Sequence, residues 1–409
     1  MITLVKERNH VNKRLPPHVL NSILVLSASI GISACSGQSF PGSQLLGGQQ
    51  KASYVAPVLK PLEKITSTAT ASKLWQVNTG TALSHVKIHP YANNIAVYAA
   101  AGSGVSAWDK NSGKSLWKQS LGEHITGGVN GGEGFVFAGT NSGKAVALDA
   151  TTGAIKWISN VETEVLAVSK ASLGVVVVRT IDGKLHGLNS KNGEILWQRV
   201  QRTPELSLYG ASVPLVVSNG VIAGFDNGVV AAYGLKTGQP VWEIKLSTQK
   251  SGSEVDKLAD IDGRLKSLGT ALFTSNGNGR IVGANIGEGT VGWTRAFSSF
   301  TGAEANAGGV YSTDDNGNVW KLNPKNGQQM WKQDALENRQ PTAPTLTQDG
   351  SHIVVADKQG NIHWIATPKG KITSRISGDP AGYNTPPLNS DGVIYTLGRS
   401  GVLTATKSQ

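Results

Sequence analysis

Apolar and polar residues alternate in short runs along most of this chain, and the pattern recurs. In the stretch 143–157, GKAVALDATTGAIKW, an alternating run leads to a polar turn at Thr151-Thr152-Gly153, and a second run ends at Trp157. Alternation with a period of two predicts strands, and a glycine-containing polar turn between two such runs predicts a hairpin. Because a single hairpin cannot bury its own faces, this one requires similar neighbours.

The same fifteen-residue phrase recurs through the chain. The other copies are SGVSAWDKNSGKSLW (103–117), GKLHGLNSKNGEILW (183–197), GVVAAYGLKTGQPVW (228–242), GRIVGANIGEGTVGW (279–293), GNVWKLNPKNGQQMW (317–331) and the weaker GNIHWIATPKGKITS (360–374). A glycine stands at the eleventh position of every copy, where it allows positive φ in the turn. The closing tryptophan, replaced by Ser374 in the last copy, offers a flat apolar face to the next sheet.

The spacing of the repeats predicts the architecture. Successive tryptophans from Trp117 to Trp331 lie 40, 40, 45, 51 and 38 residues apart. This is the period of a β-propeller with one four-stranded antiparallel sheet, or blade, per repeat.

The two ends of the repeat region predict the number of blades. GVLTAT (401–406) begins an eighth phrase that stops before its turn, and KLWQV (73–77) is a closing strand without a preceding phrase. Pairing these two segments completes one more blade and removes an open sheet edge. The sequence therefore predicts an all-β, eight-bladed propeller closed by its terminal strands. Seven blades is the alternative if 360–374 does not form a complete sheet.

The N-terminal region predicts export and lipidation. A basic start precedes an apolar run, 19–32, that is too short to span a membrane and has the length of a secretory signal. Ile32-Ser33-Ala34-Cys35 resembles the bacterial lipobox, and Cys35 is the only cysteine. We therefore expect a signal peptide at 1–34, a lipidated Cys35 with a flexible tether at 35–71, and the propeller at 72–409. A buried structural thiol is the alternative for Cys35.

The residue that follows the cysteine bears on localisation. Ser36 stands where inner-membrane lipoproteins usually have aspartate, which points to the periplasmic face of the outer membrane.

The formal net charge is +11. Its lysines are scattered over hairpin turns without an arginine-rich block or an aromatic stacking motif, so solvated turns explain the charge better than nucleic-acid binding does.

The candidate metal and catalytic residues are better explained by turns. Asp-Gly and Asn-Gly pairs at 226–228, 314–317 and 391–392 lie between alternating runs, as hairpin turns do, and none continues into a calcium loop. His85 and His89 would lie about 13 Å apart on a strand, too far for one metal. The chain shows no Ser-His-Asp order and no phosphate loop. We predict no metal and no catalytic residue.

Phrases of the type DxxTGxxxW also occur in enzymes that hold pyrroloquinoline quinone in an eight-bladed propeller. Those quinoproteins are typically longer, hold calcium, and often stack the cofactor on a disulfide between adjacent cysteines. A pair of cysteines is not available in this chain. We expect no cofactor, and a quinoprotein dehydrogenase is retained as the enzyme alternative.

Two connections between repeats are longer than the rest, 199–214 and 247–265. Extra length beyond about forty residues per blade must form loops, and loops on a rigid scaffold often carry binding. The first connection has Leu206 and Leu208 on one side of an extended segment. They form either an exposed partner-binding patch or a contact with the propeller rim. The second carries a mixed-charge set that includes Asp260 and Asp262 and is suited to polar recognition.

The lipobox, the tether, the eight blades and these two connections together resemble the BamB family, lipoproteins of the bacterial outer-membrane β-barrel assembly machinery. PELSLYGASVP (204–214) is similar to the family's P-x-LSLRG-x-S-x-P, and EVDKLADIDGRL (254–265) is similar to its E-I-D-R-L-S-D-V-D segment. The resemblance covers essentially all of the mature chain.

The resemblance implies a non-enzymatic scaffold that docks on a periplasmic domain of a BamA-like assembly protein. It implies apolar contacts from Leu206 and Leu208 and acidic positions at Asp260 and Asp262. Tyr209 departs from the family, which usually has arginine there, so the polar part of the contact must change. Unfolded outer-membrane proteins are the implied substrates, with exposed blade edges as candidate sites for an added strand. A periplasmic ligand-binding propeller of unrelated role is the third alternative.

Overall fold

The computed structural model describes residues 58–65, 71–83, 85–204, 207–246, 260–277 and 279–408. These residues form 32 strands in eight four-stranded antiparallel sheets. The predicted eight-bladed propeller is confirmed, and the repeat at 360–374 forms part of a complete blade. The predicted signal peptide and Cys35 lie outside the described residues.

The blades are numbered along the chain, and their strands are given from the axis outward. Blade 1 is β2 (Tyr91–Ala92), β3 (Ala96–Ala101), β4 (Gly104–Asp109) and β5 (Ser115–Ser120), and blade 2 is β6 (Ile125–Gly132), β7 (Phe135–Thr140), β8 (Lys144–Asp149) and β9 (Ile155–Asn160). Blade 3 is β10 (Val165–Val168), β11 (Val175–Thr180), β12 (Lys184–Asn189) and β13 (Ile195–Val200), and blade 4 is β14 (Leu215–Val217), β15 (Gly220–Gly224), β16 (Val229–Gly234) and β17 (Pro240–Lys245).

The remaining blades follow the same order, except that blade 8 uses both ends of the chain. Blade 5 is β18 (Lys266–Leu268), β19 (Ala271–Ser275), β20 (Arg280–Asn285) and β21 (Val291–Ala296), and blade 6 is β22 (Ala303–Asn306), β23 (Gly309–Thr313), β24 (Val319–Leu322) and β25 (Gln329–Gln333). Blade 7 is β26 (Thr345–Leu346), β27 (His352–Ala356), β28 (Asn361–Ala366) and β29 (Ile372–Ser377), and blade 8 is β30 (Leu388–Ser390), β31 (Val393–Leu397), β32 (Val402–Ser408) and β1 (Ala71–Asn78).

Terminal strands close the propeller as predicted. β1 pairs antiparallel with β32 over its whole length, from Ala71 opposite Ser408 to Asn78 opposite Val402. The N-terminal strand is thus the outermost strand of the blade that the C-terminal residues build. Its pairing leaves no gap between the first and last sequence repeats.

Burial differs between the middle and outermost strands of a blade. All six residues of β11, VVVVRT, are buried, whereas the outermost β5 is mostly exposed and alternates only near its end. A strand packed between two neighbouring blades has both faces covered, so it reads as a continuous apolar run. The outermost strands are half covered because the blades diverge with distance from the axis.

Each repeat tryptophan joins its blade to the next one. The Trp117 indole N–H donates to the Ala150 carbonyl at 3.1 Å, and a Cβ placed on Gly153 would lie 2.6 Å from the Trp117 ring. The same pairing of a tryptophan with a turn glycine of the following blade occurs for Trp75, Trp157, Trp197, Trp242, Trp293 and Trp331. The turn glycine and the closing tryptophan of the repeat therefore specify the contact between blades as well as the hairpin within one.

The contact between blades 7 and 8 differs, because Ser374 occupies the tryptophan position of β29. The Ser374 hydroxyl accepts a hydrogen bond from the Ala71 N–H at 3.3 Å. This is the place where the chain enters β1, so the exception in the repeat falls at the closing blade.

One face of the propeller carries every connection from an outermost strand to the next innermost strand. Because strands alternate in direction, the turns between second and third strands lie on that same face. Val161, which follows β9, donates its N–H to Gly143 in the β7–β8 turn at 2.7 Å, and Asn338 donates to Asn316 in the same way at 2.8 Å. We call this side the connection face.

Candidate partner-binding site

The two long connections meet on the connection face. The first, 201–214, joins β13 to β14, and the second joins β17 to β18 and is described from Asp260 onward. The Leu208 N–H donates to Asp260 Oδ2 at 2.8 Å. Two residues farther along each segment, a Cβ on Gly210 would lie 3.0 Å from Asp262 Oδ2. The segments therefore contact each other at alternate residues, as extended chains do.

Both aspartates face inward. Asp260 is 0% exposed and Asp262 is 9% exposed. Burial raises the pKa of Asp260 to about 7, against the lowering effect of the Leu208 amide, and burial likewise raises the pKa of Asp262. Within the described residues, the Oδ1 atom of each lacks a hydrogen-bond partner. Each side chain is thus an internal support of the connections, and neither offers a charge to solvent.

The charges around the aspartates come from several blades. Arg179, at the end of β11, forms a buried ion pair with Asp226 in the β15–β16 turn, and its guanidinium lies 5.3 Å from the centroid of the Phe225 ring. The positive charge of Arg179 lowers the pKa of both Asp260 and Asp262, while Asp226 raises them. Charged groups of blades 3 and 4 thus act on both aspartates, with opposite signs.

Tyr209 is held by residues of other blades. Its hydroxyl donates to Glu164 Oε1 at 2.7 Å, and its ring packs edge-on against His85 at a centroid distance of 4.8 Å. Burial, together with the bond to Glu164, raises the pKa of Tyr209. The position at which the family usually has arginine is therefore used here to attach the first connection to the connection between blades 2 and 3.

The second connection continues into a brace near the axis, formed by Arg264. Its guanidinium reaches Glu304 Oε2 at 3.1 Å, Thr345 Oγ1 at 3.2 Å and the Pro387 carbonyl at 3.5 Å. These partners lie in or beside the innermost strands of blades 6, 7 and 8. Burial lowers the pKa of His89 to about 3, and the positive charge of Arg264 adds to this lowering. This buried histidine is therefore neutral.

Leu208 is the predicted contact residue that the structure places at the surface. Its side chain is 37% exposed, while its backbone is bonded to the buried Asp260. Leu206 lies outside the described residues. Glu164, His85 and Arg264 support this surface and were not identified as supports from the sequence. In the sequence these three residues lie on three separate connections, and no local pattern indicates that they come together.

The structure offers no metal centre in the part of the chain that it describes. No group of three or more His, Cys, Asp or Glu side chains is arranged to hold a metal there. His85 packs on Tyr209, and His89 is buried. In the same residues, no helix is long and apolar enough to cross a membrane.

The chain matches a family model described as "Outer membrane protein assembly factor BamB" over residues 101–333 and 316–408. The outer membrane protein assembly factor BamB of Xanthomonas campestris pv. campestris is 32% identical over 394 residues, which cover 92% of this chain and 96% of that protein. The BamB of Escherichia coli K12 is 31% identical over 358 residues, covering 84% and 91%. That of Pseudomonas aeruginosa is 33% identical over 337 residues, covering 82% and 88%.

Solved structures give a consistent result. The crystal structure of BamB from Moraxella catarrhalis superposes with a TM-score of 0.76 at 26% identity, covering 83% of this chain and 100% of that one. The quinohemoprotein alcohol dehydrogenase of Comamonas testosteroni has a TM-score of 0.64 at 13% identity, covering 82% and 76%, and shares the fold alone. With the family model matching most of the chain and several relatives above 30% identity, this chain belongs to the BamB family of outer membrane protein assembly factors.

Proposed function

We propose that the chain is a non-enzymatic, lipid-anchored scaffold of the outer-membrane β-barrel assembly machinery. It binds a periplasmic domain of a BamA-like assembly protein through the connection face and supports folding and insertion of outer-membrane proteins. The names of its relatives support the assembly role. The lipobox at Ile32 to Cys35 supports the anchor on the periplasmic face of the outer membrane.

The observation that carries this proposal is how Leu208 is presented. Its side chain is 37% exposed, although the N–H of the same residue is bonded to a fully buried carboxyl group at 2.8 Å. An apolar side chain on a backbone held in this way loses little conformational entropy on binding, which favours its use as an interface anchor. Leu206, which lies outside the described residues, is the second apolar contact of this proposal.

In this proposal Asp260 and Asp262 act indirectly. They hold the first connection from beneath, and Tyr209 attaches its far side to Glu164. In the family, an arginine at the position of Tyr209 would make a polar contact with the partner. Here other polar groups of the connection face make that contact.

Extended segments of unfolded outer-membrane proteins are the proposed substrates of the outermost strands. Several of these strands expose apolar side chains: Leu74, Leu116, Ile155, Ile158, Ile195, Leu196, Val200, Val241, Val291 and Met330. Each outermost strand also has one edge without a neighbouring strand among the described residues. An extended chain can add to such an edge through main-chain hydrogen bonds. Crosslinkers along these edges should capture nascent barrel proteins in cells, and their failure to do so would contradict this mode.

The binding surface is tested by recovering the assembly complex with mature wild-type protein and with a variant carrying Leu206→Ala and Leu208→Ala. We expect the variant to lose the partner, because truncating two central apolar anchors costs about 2–4 kcal/mol each at interface hot spots. Leu173→Ala is the matched control, since Leu173 is 49% exposed in the connection between β10 and β11, on the opposite face of the propeller.

Equal recovery by wild type and the double variant would move the interface away from these leucines. No recovery by wild type would refute the scaffold. The absorbance spectrum of the purified protein would then test for a bound quinone, the enzyme alternative.

A further inference from the structure

Residues 58–65 lie against blades 6 and 7, although the sequence places them in the tether. We call them the N-terminal strap. Propeller side chains donate hydrogen bonds to three of its backbone carbonyls: Asn338 Nδ2 to Val58 O at 3.0 Å, Arg339 Nε and Nη2 to Lys60 O at 3.2 and 2.8 Å, and Arg375 Nη1 to Glu63 O at 3.2 Å. The strap is thus recognised largely through its main chain.

Side chains of the strap add apolar and ionic contacts. Leu62 and Ile65 pack on the core cluster that contains Tyr311 and Leu336. The Lys60 ammonium lies 3.2 Å from Asp334 Oδ2. Lys60, Leu62 and Ile65 are half-buried, whereas Leu59 and Lys64 are exposed, so one side of the strap faces the propeller.

The arginines that hold the strap are positioned by a buried pair. Asp357 and His363 are both 0% exposed, and His363 Nε2 lies 3.0 Å from Asp357 Oδ2. The Nε–H of Arg375 donates to His363 Nδ1 at 3.1 Å, and Arg339 Nη1 lies 3.9 Å from Asp357 Oδ2. Because His363 Nδ1 accepts from Arg375, the ring proton sits on Nε2 and donates to Asp357.

The strap begins on the connection face. Val58 and Lys60 contact the connection that runs from β25 to β26. Asn338 in that connection has a φ of 63°, a left-handed conformation that asparagine and aspartate adopt most readily among residues other than glycine. Glu63 contacts Arg375 on the outermost strand of blade 7, and Ala71 then enters β1. The N-terminal end of the strap, Val58, therefore lies on the face that also carries Leu208.

We propose that the strap is a docking segment that fixes where the lipid tether leaves the propeller, so that the membrane anchor and the partner-binding connections share one face. This inference rests on the proposed lipidation of Cys35. Docking limits the tether to residues 35–57, which span at most about 80 Å when extended, compared with about 125 Å for residues 35–70 if the strap were free. The strap thereby restricts both the orientation and the distance of the connection face relative to the membrane.

Docking is tested by the rate of trypsin cleavage after Lys64 in the full mature chain, measured by mass spectrometry. We expect Leu62→Ser and Arg339→Ala each to raise this rate about tenfold, since cleavage of a docked segment follows the population of its open form. Leu62→Ser leaves every propeller residue intact, so misfolding of the propeller does not obscure the result. Leu59→Ser is the control, because Leu59 is a 39% exposed strap residue outside the core cluster, and its rate should match wild type.

Equally fast cleavage of wild type and both variants would overturn strap docking. The shared face is tested separately, with the lipidated protein on vesicles that contain an acceptor-labelled lipid. A donor dye is placed at Thr203→Cys or at Lys191→Cys, two exposed positions beyond opposite ends of β13. Energy transfer should be higher from position 203, on the connection face, and Leu62→Ser should reduce the difference.

Equal transfer from the two positions in wild type would overturn the shared face, whatever the trypsin result. Failure of the wild-type protein to bind vesicles would refute the lipid anchor, and with it the role of the strap in orientation. The trypsin rates decide strap docking in either case, so failure of the strap and failure of the anchor are distinguishable.

Discussion

At the scale of single residues, the turn glycines carry two requirements. Gly153 has a φ of 74°, which the hairpin pattern predicts, and a Cβ there would lie 2.6 Å from the Trp117 ring of the preceding blade. The first requirement is local and can be inferred from a polar turn between two strands. The second depends on the position of a residue 36 positions earlier, so the turn alone could not reveal it.

Two glycines of blade 2, Gly134 and Gly153, allow the cost of positive φ to be measured apart from the cost of the contact with tryptophan. Gly134 also has a positive φ, 87°, but a Cβ there would meet nothing within 4 Å. We expect Gly134→Ala to destabilise by about 1 kcal/mol from backbone strain. Gly153→Ala should cost about 2 kcal/mol more, because the added methyl group displaces Trp117. Denaturant unfolding of both variants measures the difference, and equal losses would show that the contact with Trp117 is unimportant.

At the scale of elements, the two long connections show what sequence patterns can and cannot predict. Their excess length predicted loops, and the family motif placed Leu208 among the contacts. The acidic residues of the second connection suggested polar recognition, yet Asp260 and Asp262 are buried. Charged residues in a loop are normally exposed. Their burial here places them near the Leu208 amide and the Arg179–Asp226 pair, which come from distant parts of the chain.

Burial of Asp260 predicts a dependence of stability on pH. Its pKa is raised to about 7 in the folded protein, whereas an unfolded aspartate titrates near ~3.9. Between these values the folded chain holds a proton that the unfolded chain has lost. The free energy of unfolding should therefore fall as the pH rises from about 4 to about 7, by up to roughly 4 kcal/mol from this group.

Asp260→Asn should remove this contribution and flatten the pH dependence, because the amide oxygen can still accept from the Leu208 N–H. Denaturant unfolding between pH 4 and pH 8 measures how the free energy of unfolding depends on pH in each protein. Asp109→Asn is the control, because hydrogen bonds from Ser112 lower the pKa of Asp109, so its contribution changes mainly below about pH 4 and this variant should keep the wild-type pH dependence between pH 4 and pH 8. If the wild type and Asp260→Asn show the same pH dependence, Asp260 is ionised in the folded protein.

At the scale of the whole molecule, closure depends on the ends of the chain. β32 supplies the partner of β1, and Trp75 on β1 contacts Gly113 of blade 1. A chain ending at Gly401 lacks β32, so β1 has no neighbour in blade 8. We expect it to lose cooperative unfolding and to aggregate, because two strand edges become exposed.

A chain ending at Ser408 keeps the full pairing of β1 and β32 and is the control for this truncation. Calorimetry of both chains provides the comparison. A single transition at the wild-type temperature in the shorter chain would show that the terminal pairing is not needed for closure.

The sequence by itself determined the strand-and-turn repeat, the eight blades, the closure by terminal strands and the family. These features follow from short-range periodicity and from a spacing repeated often enough to define one blade. Only the tertiary structure decided that Asp260 and Asp262 lie inside, that Tyr209 pairs with Glu164, that Arg264 braces three blades, and that residues 58–65 dock on blades 6 and 7. Each of these is a contact between residues far apart in the chain. Its energy depends on partners that a local pattern does not contain.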